Sequence, residues 1–379
     1  MAAARDLAGF FNSSQNVSAL DRHYRRTMGR ILKELAGGVS QPGAARARDL
    51  IARIRKLTNE LDPAKDSFVR KWIRREIPKA FVLGDKAATR QLREQLETVS
   101  GPTQQEFGQI SRSFTGANKA SMRAVVAAME DQLGRAASDV FATAKLTVRR
   151  TQLKFNQDQA IREATVGGII RGGTGKQLSD DIARILLNGN TDKAGLKNLR
   201  ENGFGGSDIQ LFRELSEGKF ITVGKKTFSV RTYANLVART QGSEAHKVAN
   251  VVRLQQNGVN HVKISRHNQV EPDECTPFAG KVFYVGPLSK DPAGFPSLKS
   301  ILNAGPPFHP QCRHVTEPFV VEFETAAAIE KAKDSANAIP KRIFGQKSND
   351  IRKLVTAASA KDLESFFEEG AEDLRRGAA

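Results

Sequence analysis

Both cysteines of this chain, Cys275 and Cys312, fall in one stretch between Asp273 and His314. The stretch reads Asp-Glu-Cys-Thr-Pro-Phe-Ala-Gly-Lys-Val-Phe over 273–283 and Gly-Pro-Pro-Phe-His-Pro-Gln-Cys-Arg-His over 305–314. His309 and His314, two of the six histidines, lie in its second half, and His267 sits just upstream. Cys with His is the side-chain set that binds zinc or builds a compact polar knot. Three arrangements are open. Cys275, His309, Cys312 and His314 could hold zinc as a Cys2His2 set, with His267 as a substitute ligand. The cluster could instead be metal-free, with cysteine packed as a small hydrophobe and histidine hydrogen-bonded to the Pro-rich turn. A Cys275–Cys312 disulfide is the third, and two cysteines alone cannot staple a chain of this size. A metal clip would close a long loop in a module with little core area of its own.

Composition bounds the rest. A chain of 379 residues has room for two or three domains, and 39% hydrophobic residues support a core. No run of about 18 apolar residues exists, so no membrane partner is expected. The opening Met1-Ala2-Ala3-Ala4-Arg5-Asp6-Leu7 lacks the apolar stretch of a secretory signal. The formal net charge is +18. Residues 1–300 carry 48 Lys and Arg against 29 Asp and Glu, whereas 301–379 carry 11 against 12. Such a surplus suits a polyanion such as double-stranded DNA, an acidic protein, or a solvated basic surface.

The first 200 residues read as helical, with candidate helices over 18–36, 44–60, 65–83, 86–99 and 117–165. Val69, Ile73 and Ile77 predict a buried stripe in the third, with Arg70, Lys71, Arg74, Arg75 and Lys79 around it. Arg22, Arg25, Arg26, Arg30, Arg70, Lys71, Arg74 and Arg75 are the candidate DNA or partner contacts; the alternative is a solvated helix face. In the last, Val126, Met129, Leu133, Ala136, Val140 and Ala144 keep the spacing of a packing seam. A further helix is expected over 176–187. Arg171-Gly-Gly-Thr-Gly-Lys-Gln177 before it is not a phosphate loop. Counting back five from Gly175 gives Ile170, and Lys176 is followed by Gln177.

Past Gly203 the pattern turns to short β-rich runs. Phe220–Val223 and Thr227–Val230 predict a hairpin, and a helix follows to about Asn257. Strands are expected over 259–265, 281–285 and 315–323, then a helix over 324–334 and a charged helical tail. The expected fold class is α+β: a mainly α-helical N-terminal region (1–115), a long-helix region (116–202), a small α+β module (203–323) and a helical tail (324–379).

The Asp273–His314 stretch resembles the closing signature of tailed-phage minor head proteins, the Mu protein F-like and phage minor capsid protein 2 families. Their hallmark is a Cys beside a Gly-Lys-Val-Phe-like turn, then Pro-Pro-x-His-Pro-x-Cys-Arg. Tyr233-Ala-Asn-Leu-Val-Ala-Arg-Thr240 resembles the family's Arg-Thr helix, and His261-Val-Lys-Ile-Ser265 the strand after it. The likeness spans roughly residues 140 to 320 and marks Arg239, Thr240, Gly280, Pro307, Pro310 and Arg313 as motif residues. Phe278 stands where the family often has a second Cys, and His314 where it ends in Cys.

The resemblance implies a virion component near the portal, a minor capsid or head morphogenesis protein assembled in the host cytoplasm. Its implied partners are the portal protein, the major capsid protein, non-specifically bound double-stranded DNA and other copies of itself. Arg239 is expected to tie backbone carbonyls or a carboxylate such as Asp273 or Glu274. Zinc is the one cofactor the residues suggest, and no catalytic residue is assigned. Two alternatives stand beside this. Glu322-Phe-Glu324 on the strand expected over 315–323 has the Glu-x-Glu form used by ADP-ribosyltransferases, although no Ser-Thr-Ser-like strand precedes it. A free-standing basic DNA-binding protein with a zinc-stabilised module is the other.

Overall fold

The computed structural model describes residues 15–38, 44–98, 116–164, 175–223, 226–266, 273–288, 290–309 and 312–339. As expected, the fold is α+β and mainly helical. Helices α1 (Gln15–Gly38) and α2 (Ala44–Asn59) pack on each other. In α1, Leu20, Tyr24, Ile31 and Leu35 recur at helical spacing and are fully buried, and Leu50 and Ile54 of α2 match them.

α3 (Phe68–Thr98) runs unbroken through Pro78 and Gly84, where two helices were expected. Val69, Ile73 and Ile77 are buried in it as the spacing predicts, beside Trp72. α4 (Gly116–Ala164) buries Val125, Met129, Leu133, Ala136, Val140, Ala144 and Val148. Its seam therefore starts on Val125, and Val126 is only half-buried.

α5 (Gly175–Asn188) ends at Gly189, whose φ of +74° stops it. Two short helices then occupy a stretch that the sequence reading left unassigned: α6 (Lys193–Glu201) and α7 (Gly206–Ser216). Asp192 caps α6 by accepting from the Gly195 amide at 2.7 Å. β1 (Lys219–Val223) and β2 (Lys226–Ser229) form the expected antiparallel hairpin, whose tip lies outside the described residues.

α8 (Val230–Gln256) leads into a three-stranded antiparallel sheet, with β3 (His261–Ile264) between β4 (Val282–Tyr284) and β5 (Thr316–Pro318). The strands are shorter than expected, and β5 most so. Pro318 has no amide to extend the ladder, and Val321–Phe323 turns into a 3-10 segment. Glu322 and Glu324 are exposed there rather than alternating on a strand. The sheet has two apolar faces. Phe283 joins Val262, Ile264, Cys275, Phe278, Leu298, Ile301 and Phe308 in one cluster, while Val282 and Tyr284 pack with Phe295 and helix α9 (Ala326–Asn337). Residues 340–379, including the acidic stretch expected to be helical, lie outside the described residues.

The chain gathers into two compact units, each built from separated segments. One takes residues 76–126 and 239 onward, and the other takes 15–75 and 127–238. Among the described residues no helix is long and apolar enough to cross a membrane.

Candidate metal centre

Two turns carry the Cys/His cluster, the first fixed largely by its own residues and the second from α8. In the first, Asp273 accepts from the Cys275 amide at 2.8 Å and donates its own amide to Thr276 Oγ1 at 2.9 Å. That side-chain turn leads into a 3-10 segment, Thr276–Phe278, closed by the Phe278 amide on the Cys275 carbonyl at 2.9 Å. Gly280 follows at φ +75° and donates to the Ile264 carbonyl at 2.8 Å. This conformation explains the glycine of the Gly-Lys-Val-Phe motif, because a residue with Cβ would be strained there.

The second turn is held from α8. Lys247, mostly buried and ion-paired with Glu244 at 2.8 Å, donates to the carbonyls of Asn303 and Ala304 at 3.2 and 3.3 Å. Asn303 and Ala304 have positive φ, and Asn303 Nδ2 donates onward to the Pro307 and Phe308 carbonyls. Phe308 then stacks on Phe278 with centroids 4.8 Å apart, which docks the second turn on the first. The Ser265 amide on the Val315 carbonyl, and the Val315 amide on Ser265 Oγ, both at 2.9 Å, tie the exit to β3.

The two turns bring the expected residues together. Cys275 and Cys312 are free thiols with their sulfurs 3.7 Å apart. Cys312 Sγ lies 3.6 Å from His314 Nδ1. Cys275, Cys312 and His314 offer donor atoms all within 4.8 Å of one another, and Asp273, Cys275 and His309 form a second such group sharing Cys275. His309 Nε2 faces Asp273 Oδ2 at 3.3 Å. Cys275 and His314 are buried, whereas Cys312 and His309 are partly accessible.

The environment separates the thiols. Hydrogen bonding from Cys275, opposed by burial and assisted by His314, holds Cys312 well below the usual thiol range. The same hydrogen bond, burial and the nearby Asp273 and Glu274 carboxylates push Cys275 up. Burial disfavours charge on His309, but Asp273 and the Cys312 thiolate outweigh it and raise its pKa. Two sulfurs and the His314 imidazole in one group, joined through Cys275 to a second group with His309, form a soft donor set of the kind that takes zinc.

The other expected sites divide. Arg239 sits inside α8 rather than at its end, half-buried, and its Nε has no hydrogen-bond partner among the described residues. Asp273, one of its expected partners, accepts from the Cys275 amide and faces His309. Thr240 follows it in α8, half-buried; Pro307 is buried, Arg313 exposed, and Pro310 and His267 lie outside the described residues.

Arg22, Arg25, Arg26 and Arg30 are exposed along α1, and Lys71, Arg74 and Arg75 along α3, with Arg70 half-buried. Many are already engaged: Arg25 with Asp21, Arg30 with Glu60, Lys71 with Asp66 and Arg74 with Glu130, at 2.9–3.4 Å. Exposed pairs of this kind contribute about 0–1 kcal/mol each, so a phosphate could displace the carboxylates cheaply.

Asp273 as a neighbour of His309, and Lys247 as the post under the second turn, were missed from sequence. The Asp-x-Cys spacing of a side-chain turn was the available signal for the first. Nothing local marks the second, whose partners are more than 50 residues away. Comparison with protein-family models, with characterised proteins and with solved structures finds no match to this chain.

Proposed function

We propose that this chain is a structural protein of a tailed-phage head, a minor capsid or head morphogenesis protein acting near the portal and contacting DNA without sequence preference. One observation supports this most. The two halves of the signature, 273–283 and 305–314, meet at a single site, with Cys275 and Cys312 in contact across 37 residues of chain. Motif residues that served unrelated local purposes would have no reason to converge. Gly280 and Asn303 carry the unusual backbone geometry that lets them do so.

The charge distribution is consistent with a polyanionic partner, and the basic residues of α1 and α3 are accessible to one. The enzyme alternative loses the strand it drew on, since Glu322 lies within a 3-10 turn and Glu324 directly follows it.

The test is binding of the full chain to the portal protein of the same phage and, separately, to linear duplex DNA across salt concentrations. The proposal expects a stable portal complex, and DNA affinity that falls steeply and log-linearly with salt whatever the sequence. Failure to bind portal together with tight duplex binding would transfer the reading to a free-standing DNA-binding protein. Binding to neither would remove the proposal.

A further inference from the structure

We propose that Cys275, Cys312, His314 and His309 bind one zinc ion, and that Asp273 orients His309 as a ligand. A tetrahedral zinc with Zn–S near 2.3 Å and Zn–N near 2.0–2.1 Å fixes the distances between its ligands at about 3.8 Å for S···S and about 3.5 Å for S···N. The separations here are 3.7 Å for Cys275 Sγ to Cys312 Sγ and 3.6 Å for Cys312 Sγ to His314 Nδ1. Two edges of the tetrahedron are thus present with the chain already in place.

A disulfide needs sulfurs near 2.05 Å, well inside the observed distance. Two thiols packed only as small hydrophobes have no need of an imidazole nitrogen on the same sulfur. The spacing therefore favours the metal among the three arrangements that the sequence left open.

The fourth position is drawn from the second donor group, which shares Cys275 with the first and contains both Asp273 and His309. Asp273 is committed elsewhere, with Oδ1 on the Cys275 amide and Oδ2 facing His309 Nε2 at 3.3 Å. A carboxylate held against one nitrogen of an imidazole, leaving the other for the metal, is the usual outer partner of a zinc-bound histidine. The assignment thus gives His309 the fourth ligand and Asp273 the supporting role. The ion would join the 273–280 turn to the 305–314 loop and stabilise a module that is small for its core.

The inference is independent of the head-protein reading, since neither portal nor DNA takes part in it. Its test uses the full chain, reduced, with zinc and then cobalt(II) as probes. Native mass spectrometry should find one zinc per chain, and zinc should protect both thiols from alkylation. Cobalt(II) should give thiolate charge-transfer bands with the intense visible bands of a tetrahedral site. Cys312→Ser should lower affinity at least 100-fold in a chelator competition. His309→Ala should change the cobalt spectrum, whereas Asp273→Asn should keep the spectrum and weaken zinc roughly 10–100-fold.

Folded wild-type protein that takes up no zinc, with both thiols equally reactive with and without the metal, would overturn the site even if every variant fails to fold. Zinc binding unchanged in His309→Ala but lost in Asp273→Asn would overturn the ligand assignment.

Discussion

His246 and Gly280 show how single residues record their surroundings. His246 lies almost fully buried in α8, and burial lowers its pKa to about 3. The sign of the consequence is fixed. The unfolded chain takes up a proton on this group near pH 6.5, while the folded chain resists until about pH 3. His246 therefore costs nothing above pH 6.5 and destabilises α8 as pH falls below it, by up to about 1.4 kcal/mol per pH unit. Amide hydrogen exchange of α8 between pH 7 and 4.5 should show this loss, and His246→Gln should flatten it. An equal slope in the variant would assign the effect to carboxylates instead.

Gly280→Ala makes a comparable test of backbone strain. At φ +75° the added Cβ meets the Arg266 guanidinium, which can swing away, so the cost comes mainly from the left-handed backbone. A loss of about 1–2 kcal/mol in urea unfolding is expected, and no loss would show that the turn readily relaxes. The Gly-Lys-Val-Phe motif was readable from sequence, but its reason was not. The glycine is favoured because its amide must reach the Ile264 carbonyl from a left-handed conformation that strains other residues.

At the scale of elements, α3 shows best what the sequence could and could not give. Val69, Ile73 and Ile77 announced a buried stripe, and it is there. Gly84-Asp85 looked like a break, yet the helix runs on. Gly84 is there because α8 crosses so closely that a Cβ would press on the His246 backbone, with its Cα only 2.8 Å away. The contact joins residues 162 apart in sequence, so no local pattern could reveal it.

Paired substitutions test this directly. Gly84→Ala should destabilise by about 1–3 kcal/mol through overpacking. Gly29→Ala, in α1 with open space around it, should stabilise by roughly 0.5–1 kcal/mol. Urea midpoints moving the same way in both variants would contradict the crossing. α6 and α7 were missed because their glycine-rich entries look like loop, although Asp192 and Asp208 supply the capping acceptors. The strands were drawn too long because apolar runs continue past Pro318 into a 3-10 turn.

At the scale of the whole molecule, the two compact units interleave along the chain, so linear segments read from composition do not coincide with them. Charge is the molecular property that sequence states most fully, and its surplus lies within residues 1–300. Reversing exposed arginines that carry it should weaken non-specific duplex binding. Arg22→Glu with Arg26→Glu should reduce the salt slope by roughly two, as two phosphate contacts are lost. An unchanged slope would place the DNA contact elsewhere.

The most direct measurement for the proposed function is quantitative mass spectrometry of purified phage particles, counting this chain against portal and major capsid protein. The account predicts a copy number near or below that of the portal ring. Absence of the chain from the particle would contradict it, and a ratio near that of the major capsid protein would make it a shell component instead of a minor head protein.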